Sequence, residues 1–171
     1  MTTAKSALQS VAFITDEVAR LVVFRLDEHR YALPLAAVER IVRAVAITPL
    51  PRAPAIVLGI IDVEGSVLPV LDIRYRFRLP QRAIGPDDQL SIAKTAHRRV
   101  ALVIDEAEGV IECPASAITD AVSVVPGAEH IHGVIRLDDG LVLIHDLEQF
   151  LSLDETQALD QALSQEASHA H

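Results

Sequence analysis

The chain contains no tryptophan and no asparagine, only one cysteine and one methionine, and aromatic residues make up just 4% of it. A single cysteine excludes an internal disulfide framework and any cysteine-rich zinc site. With so few aromatics the core has to be built from Val, Ile, Leu and Ala, and a hydrophobic content of 50% supplies them. No apolar run approaches the roughly 20 residues that cross a bilayer. The first twenty residues, MTTAKSALQSVAFITDEVAR, lack the basic start, apolar stretch and cleavage site of a secretory signal. The expectation is a cytoplasmic protein with no direct membrane insertion. Basic residues are scarce as well: 15 Lys and Arg stand against 24 Asp and Glu, a net charge of −9. That balance argues against a nucleic-acid partner, whose phosphates need a basic surface. Gly-rich phosphate loops, nucleophile elbows and Walker sequences are also missing, and no cofactor is implied.

A length of 171 residues suits one compact domain or two small lobes. Residues 1–18 mix small, polar and scattered apolar side chains and read as a flexible leader. Two β-type runs, LVVFRL (21–26) and RYALPL (30–35), flank Asp27-Glu28 and read as a hairpin. Val38, Ile41 and Val42 recur at helical spacing and predict a short helix over 37–45, which Pro49, Pro51 and Pro54 keep from continuing. AIVLGIIDV (55–63) and VLPVLDIRYRF (67–77) read as strands about a turn at Glu64-Gly65-Ser66. Residues 80–97 read as a loop in which LSIA could add a strand. Residues 99–114 and 130–147 read as two further hairpins, the last turning at Asp139-Gly140. Ser152 and Glu155 have the spacing of a capping box, so 153–165 predicts a helix, with a frayed end in a tail of 153–171.

The two halves echo each other. GIIDVEGSVLPVLDI from Gly59 aligns without a gap on GVIRLDDGLVLIHDL from Gly133. Gly59 then matches Gly133, Ile61 matches Ile135, Glu64 matches Asp138, Val70 matches Ile144 and Asp72 matches Asp146. Asp27-Glu28 likewise lies opposite Asp105-Glu106. Any two β-hairpins share alternating Val and Ile around acidic turns, but this register points to two related lobes, each a small β-barrel.

In order and spacing, the hairpin ending in YALPL, the VERI segment, the proline-bearing stretch into VLGIIDVEG and the VLPVLDIRYRF that follows resemble the CheW-like family. In that family a Gly-Val-Ile-Asn-Leu-Arg-Gly stretch precedes Pro-Val-Val-Asp-Leu-Arg. VALVIDEAEGVIE resembles its second-half hairpin, and the likeness covers roughly residues 20–152. It implies an all-β fold with short helices: two SH3-like small β-barrels packed together over 19–152, followed by a C-terminal helix. It further implies a non-catalytic adaptor for two-component signal transduction. Such an adaptor couples the cytoplasmic tip of chemoreceptors to the regulatory domain of the chemotaxis histidine kinase, and is recruited to membrane receptor arrays. A variant of this expectation is an adaptor of a chemosensory pathway controlling pili, surface attachment or a second messenger. Carried over by position, the protein-binding residues are Val38, Arg40, Ile41, Gly59, Glu64, Gly65, Asp72 and Arg74. Two of them depart from the pattern. Glu64 stands where the family usually has Arg, and Arg40 where it often has an acid. Both signs are reversed, so the two side chains are expected still to attract each other, or to answer a partner surface of reversed charge. The alternative is a pair of unrelated, solvated substitutions.

Three other constellations could carry chemistry. His130, His132 and His145 could bind zinc and serve a small metal-dependent hydrolase, but their spacing is common by chance, Asp146 would point to the opposite face from His145, and surface or partly buried histidines are the better reading. Cys113 before Pro114 reads as a buried structural thiol. The Asp27-Glu28 and Asp105-Glu106 pairs read as solvated turns rather than acid–base pairs.

Overall fold

Period-two alternation sends Leu21 and Val23 to one face of the first strand and Phe24 and Leu26 to the other, and all four are buried. A strand covered on both faces needs a layer on each side, and this requirement organises the protein. The computed structural model describes residues 18–120 and 131–169. The leader expected over 1–18 lies outside them except for Val18, as does His130. The described chain begins with β1 (Val18–Leu26), β2 (His29–Pro34), a single 3₁₀ turn (Leu35–Ala37) and β3 (Val38–Arg43). It continues through β4 (Val57–Val63), β5 (Ser66–Leu71), a short helix α1 (Ile73–Phe77), β6 (Gln89–Lys94), β7 (Arg99–Ile104) and β8 (Glu106–Pro114). It ends with β9 (Thr119–Asp120), β10 (Ile131–Leu137), β11 (Gly140–His145) and α2 (Leu153–His169).

Two sheets result, in the orders β8-β1-β2-β11-β10-β9 and β3-β6-β7-β5-β4. Each joins two antiparallel hairpins through one parallel contact, β2 with β11 and β7 with β5. The first sheet curls around Leu21, Val23, Ala32, Ile135, Val142 and Ile144. The second curls around Ile61, Leu68, Val70, Leu90, Ile92 and Val103. Between them lies a third apolar layer, a seam formed by Phe24, Leu26 and Leu33 from one sheet and Leu71, Leu102 and Ile104 from the other. The fold is therefore all-β, two small barrel-like sheets packed face to face with a helix at the end.

Two segments depart from the sequence-based expectation, for identifiable reasons. Residues 38–43 form a strand rather than part of a helix over 37–45, and β3 pairs with β6 with a register shift between Val38 and Arg40. The bulge turns the strand by one position, so Val38 and Ile41, three apart, both pack on the seam while Val42 points into the second barrel. A bulged strand thus reproduces helical spacing. Residues 99–114 supply two strands but no hairpin. β7 belongs to the second sheet and β8 to the first, with only Asp105 between them. β3 makes the opposite crossing after β2, so the two barrels are interlocked. A smaller correction applies at 67–77, where the strand stops at Leu71. Asp72 then caps α1, its Oδ1 accepting from the N–H of Arg74 at 3.1 Å.

The other hairpins, the LSIA strand and the capping box are as read. Ser152 N–H donates to Glu155 Oε1 at 2.8 Å, and Glu155 N–H donates back to Ser152 Oγ at 3.1 Å. Behind that cap α2 buries Leu159 and Ala162 on the seam, and ion pairs from Arg76 to Glu155 and from Arg98 to Asp160 tether it.

The repeat is architectural. The β4–β5 hairpin holds the same place in its sheet as β10–β11 in the other, and Asp146 caps its turn as Asp72 does. The matched glycines explain themselves. Each lies at a register shift in its hairpin, where the preceding segment crosses at close range. A Cβ on Gly59 would overlap the Thr48 carbonyl oxygen, and one on Gly133 would stand 2.5 Å from Ile118 Cγ2. Gly59→Ala is expected to lower the unfolding free energy by about 3 kcal/mol, because the Thr48 backbone has to move, and Gly133→Ala by less, about 2 kcal/mol, because the Ile118 methyl has to give while the Thr119 carbonyl oxygen stands at 3.0 Å. Urea unfolding of both variants checks this; equal losses would contradict it.

Candidate protein-binding surface

The residues expected to bind partners separate into an exposed rim and a buried hub. At the rim, the β4–β5 turn holds Glu64 at φ 51° and Gly65 at φ 86°, the left-handed pair of a tight hairpin. Asp62 Oδ1 accepts the Gly65 N–H at 2.8 Å. This turn delivers Glu64 to β3, where Arg40 Nη1 donates to Glu64 Oε1 at 2.9 Å. The side chains are 37% and 77% exposed. Their hydrogen bond and mutual attraction raise the Arg40 pKa and lower that of Glu64. Beside them Arg99 grips Glu39 through Nε, 3.0 Å from each carboxylate oxygen. Exposed pairs contribute little to stability, so this rim is free to be shaped by what it meets. Val38 and Ile41 lie half-buried below it, and Gly59 is taken up by barrel closure.

Asp72 and Arg74 belong to the hub, where neither side chain presents a free surface: they are 7% and 6% exposed. Arg74 Nη1 donates to Asp27 Oδ2 at 2.9 Å and to the Pro80 carbonyl at 3.1 Å, and Nη2 donates to Asp105 Oδ1 at 2.7 Å. Asp105 also accepts from Arg82 Nη2 at 2.7 Å and from the N–H of Asp27 at 2.7 Å. Arg82 in turn grips Asp88 with both Nη atoms, at 2.8 and 2.7 Å. Asp27 comes from the first sheet, Arg74 from the second, and Asp105 from the crossing between them, so the hub ties the lobes together. The two acidic turns matched in the sequence are thus not both solvated: the Asp105 side chain is 11% exposed. Sequence reasoning missed Arg82 and Asp88 altogether; nothing in a loop of mixed charges marks which Arg will fold back.

Burial opposes ionisation of Asp105, but the Arg74 hydrogen bond, the Asp27 N–H and the two guanidinium charges outweigh it and hold the carboxyl below its ordinary value. The Arg82 hydrogen bond, working against desolvation, holds Asp88 down as well, with help from the Gly85 N–H.

Of the three histidines singled out in the sequence, His132 and His145 lie among the described residues, and they do not come together as a metal site. His145 is 1% exposed, its ring 4.2 Å from that of Phe77, 4.9 Å from Tyr31, 5.1 Å from Phe150 and 5.6 Å from Phe24. His132 is exposed on the neighbouring strand, and among the described residues no His, Cys, Asp and Glu side chains gather at metal-binding spacing. Cys113 is buried, and burial pushes its thiol up, away from a reactive thiolate.

The described residues thus form two interlocked barrels with an exposed charged rim and a buried ionic hub, a fold and surface suited to a protein that holds partners. The model of the CheW-like domain matches residues 20–155. The chain is 28% identical to the chemotaxis protein CheW of Treponema pallidum over 152 residues, covering 85% of this chain and 89% of that one. It is 32% identical to protein FrzA of Myxococcus xanthus over 114 residues, 66% and 71% of the two chains. The crystal structure of the scaffolding protein TtCheW from Thermoanaerobacter tengcongensis superposes with a TM-score of 0.75 at 26% identity, covering 81% of this chain and 96% of that one. The chain belongs to the CheW-like family and is a scaffold protein of chemotaxis signalling.

Two outcomes follow from the hub. Arg74→Met removes the cation that Asp27 and Asp105 share, leaving Asp105 to Arg82, and is expected to cost about 3 kcal/mol in urea unfolding. Because the folded carboxyls of Asp88 and Asp105 sit below their unfolded value near 4, their contribution is complete above that value and is lost as pH falls through the lower folded value. Stability should therefore decline between about pH 5 and pH 2, and Asp88→Asn should flatten the decline. An unchanged acid limb in that variant would contradict the role of Asp88.

Proposed function

We propose that this protein couples chemoreceptors to the chemotaxis histidine kinase in the cytoplasm, one surface holding the kinase regulatory domain and another the cytoplasmic receptor tip. The observation that carries this reading is the construction of the two lobes. They are interlocked by two chain crossings and a buried hub, so surfaces on either lobe keep a fixed relation to each other. An adaptor works by holding two partners at high effective concentration, and rigid spacing serves that end. Family membership and the likeness to a scaffolding protein support it further. In this reading Arg40 and Glu64, with Val38, Ile41 and Gly65 around them, form the kinase-facing rim. Arg74 acts from beneath, tying the lobes through Asp27 and Asp105, and Asp72 caps the helix that carries it.

The reversed signs of Arg40 and Glu64 match a partner surface of correspondingly reversed charge, since like charges at an interface oppose the wrong partner. Calorimetric titration into the regulatory domain of this organism's own chemotaxis kinase tests both parts. Saturable binding near one to one is expected, weakened about tenfold or more by Arg40→Glu or by Glu64→Arg. The double swap, which restores the internal pair, should remain weak. Wild-type affinity in the double swap would show that only the internal pair matters, and no binding by the wild type would remove the kinase partner.

A further inference from the structure

The helix α2 carries Asp154, Glu155, Asp160 and Glu166 and no Lys or Arg. Its residues Leu159, Ala162 and Leu163 follow the i, i+3, i+4 spacing of a single apolar face. Among its described side chains only Leu159 and Ala162 are buried, and Leu163 is half-buried. The surface that receives this face has basic walls. Asp160 and Gln165 are five residues apart, and at about 100° per residue they stand on opposite flanks of the apolar face. Arg98, from the turn between β6 and β7, pairs with Asp160 on one flank. Arg52, from the segment joining β3 to β4, donates from Nη1 to Gln165 Oε1 at 3.1 Å on the other. Arg76 of α1 pairs with Glu155. Three arginines from three segments of the second lobe thus grip one acidic helix.

Two details mark α2 as a second-best occupant of this groove. A recess of about 40 Å³ remains beside its first turn, between Thr156 and the apolar side chains of Leu71, Val100, Leu147 and Phe150. Arg52, a full charge, meets only the neutral amide of Gln165. A carboxylate at that point would make a charge-assisted hydrogen bond, which is the stronger kind. Arg52, Arg76 and Arg98 all lie inside the domain matched by the family model, whereas α2 beyond Glu155 lies outside it. The groove therefore belongs to the matched domain, and most of its cover does not. Leu151 and Ser152 alone join α2 to the core residue Phe150.

We propose that the surface beneath α2 is a docking groove for an acidic amphipathic helix of a protein partner, and that α2 closes it as an autoinhibitory strap. The partner's helix carries acids opposite Arg98 and Arg52 on its two flanks, with apolar residues between them and one large enough to enter the recess. A second copy's α2 has no such advantage. It offers the same contacts as the resident helix, which its short link holds at about millimolar effective concentration or above. Only a helix that fits better displaces the strap. The proposal goes beyond the adaptor reading, whose contacts lie at the Arg40–Glu64 rim, and the two stand or fall separately.

The test is an amide-resolved NMR titration of the full ¹⁵N-labelled chain with an acetylated, amidated peptide of residues 152–169 carrying Gln165→Glu. Shifts are expected at Arg52, Arg76 and Arg98, together with movement of the resident α2 amides as the strap leaves. The peptide that keeps Gln165 should bind about threefold more weakly. In the full chain, Leu159→Glu puts a carboxylate into the apolar contact and releases α2. Peptide binding should then tighten about tenfold or more, because the groove no longer has to be vacated. Gln165→Glu in the full chain leaves the core untouched, strengthens the strap and should weaken peptide binding about threefold. That variant decides the matter if Leu159→Glu does not fold. Shifts elsewhere, no shifts, or equal peptide affinity in the wild type and Gln165→Glu would each overturn the proposal. Dimers of the wild type that the peptide dissociates, seen by sedimentation, would give the groove to a second copy and overturn the assignment to a partner.

Discussion

Arg74 is the constraint on which the rest of the structure depends. An arginine whose side chain is 7% exposed is tolerable only if its charge is matched, and the matching carboxylates come from the other lobe, Asp27, and from the crossing between the lobes, Asp105. Satisfying it fixes the first hairpin turn, the start of α1 and the β7–β8 crossing together. The net gain from such a buried pair is small, whereas removing one partner costs several kcal/mol. Its effect is thus to specify one arrangement of two barrels whose apolar seam alone would be less particular about angle. Non-directional burial of Phe24, Phe150 and the surrounding leucines supplies the cohesion, and the hub supplies the geometry.

The sequence made the strands, the repeat and the tail helix legible because each has a short-range signature: alternation, a gap-free register and a capping box. The Arg40–Glu64 pair was legible too, as two sign reversals 24 residues apart in the chain that meet at 2.9 Å. Illegible were features set by tertiary context. The bulge at Val38–Arg40 presents Val38 and Ile41 on one face at a spacing of three, and single-sequence periodicity takes that for a helix turn. The near-continuous apolar run RVALVI followed by an acid reads as half a hairpin. In the fold both its faces are covered, one by its own barrel and one by the other, and its continuation joins the opposite sheet. Arg82 and Asp88 had no local signal; only the folded loop brings them to Asp105.

The hub also separates two demands that would conflict if they fell on the same residues. Buried charges give the lobes a fixed relation, so they cannot vary without loss of stability. The rim pairs Arg40–Glu64 and Glu39–Arg99 are exposed and contribute little to folding, so their signs can follow a partner. Asp72 and Arg74, expected from family resemblance to touch partners, sit on the buried side of this division, and the reversed residues sit on the exposed side. This physical arrangement suits a scaffold, with a rigid interior carrying an adjustable edge.

The central claim is that one molecule holds a kinase regulatory domain and a receptor tip at the same time. Sedimentation velocity on a mixture of this protein, the regulatory domain of its own kinase and a soluble receptor-tip fragment tests it directly. The account predicts a boundary heavier than either pairwise complex and containing all three chains. If the receptor fragment instead displaced the kinase domain, leaving only pairwise complexes, the two partners would share one surface and the bridging account would be wrong.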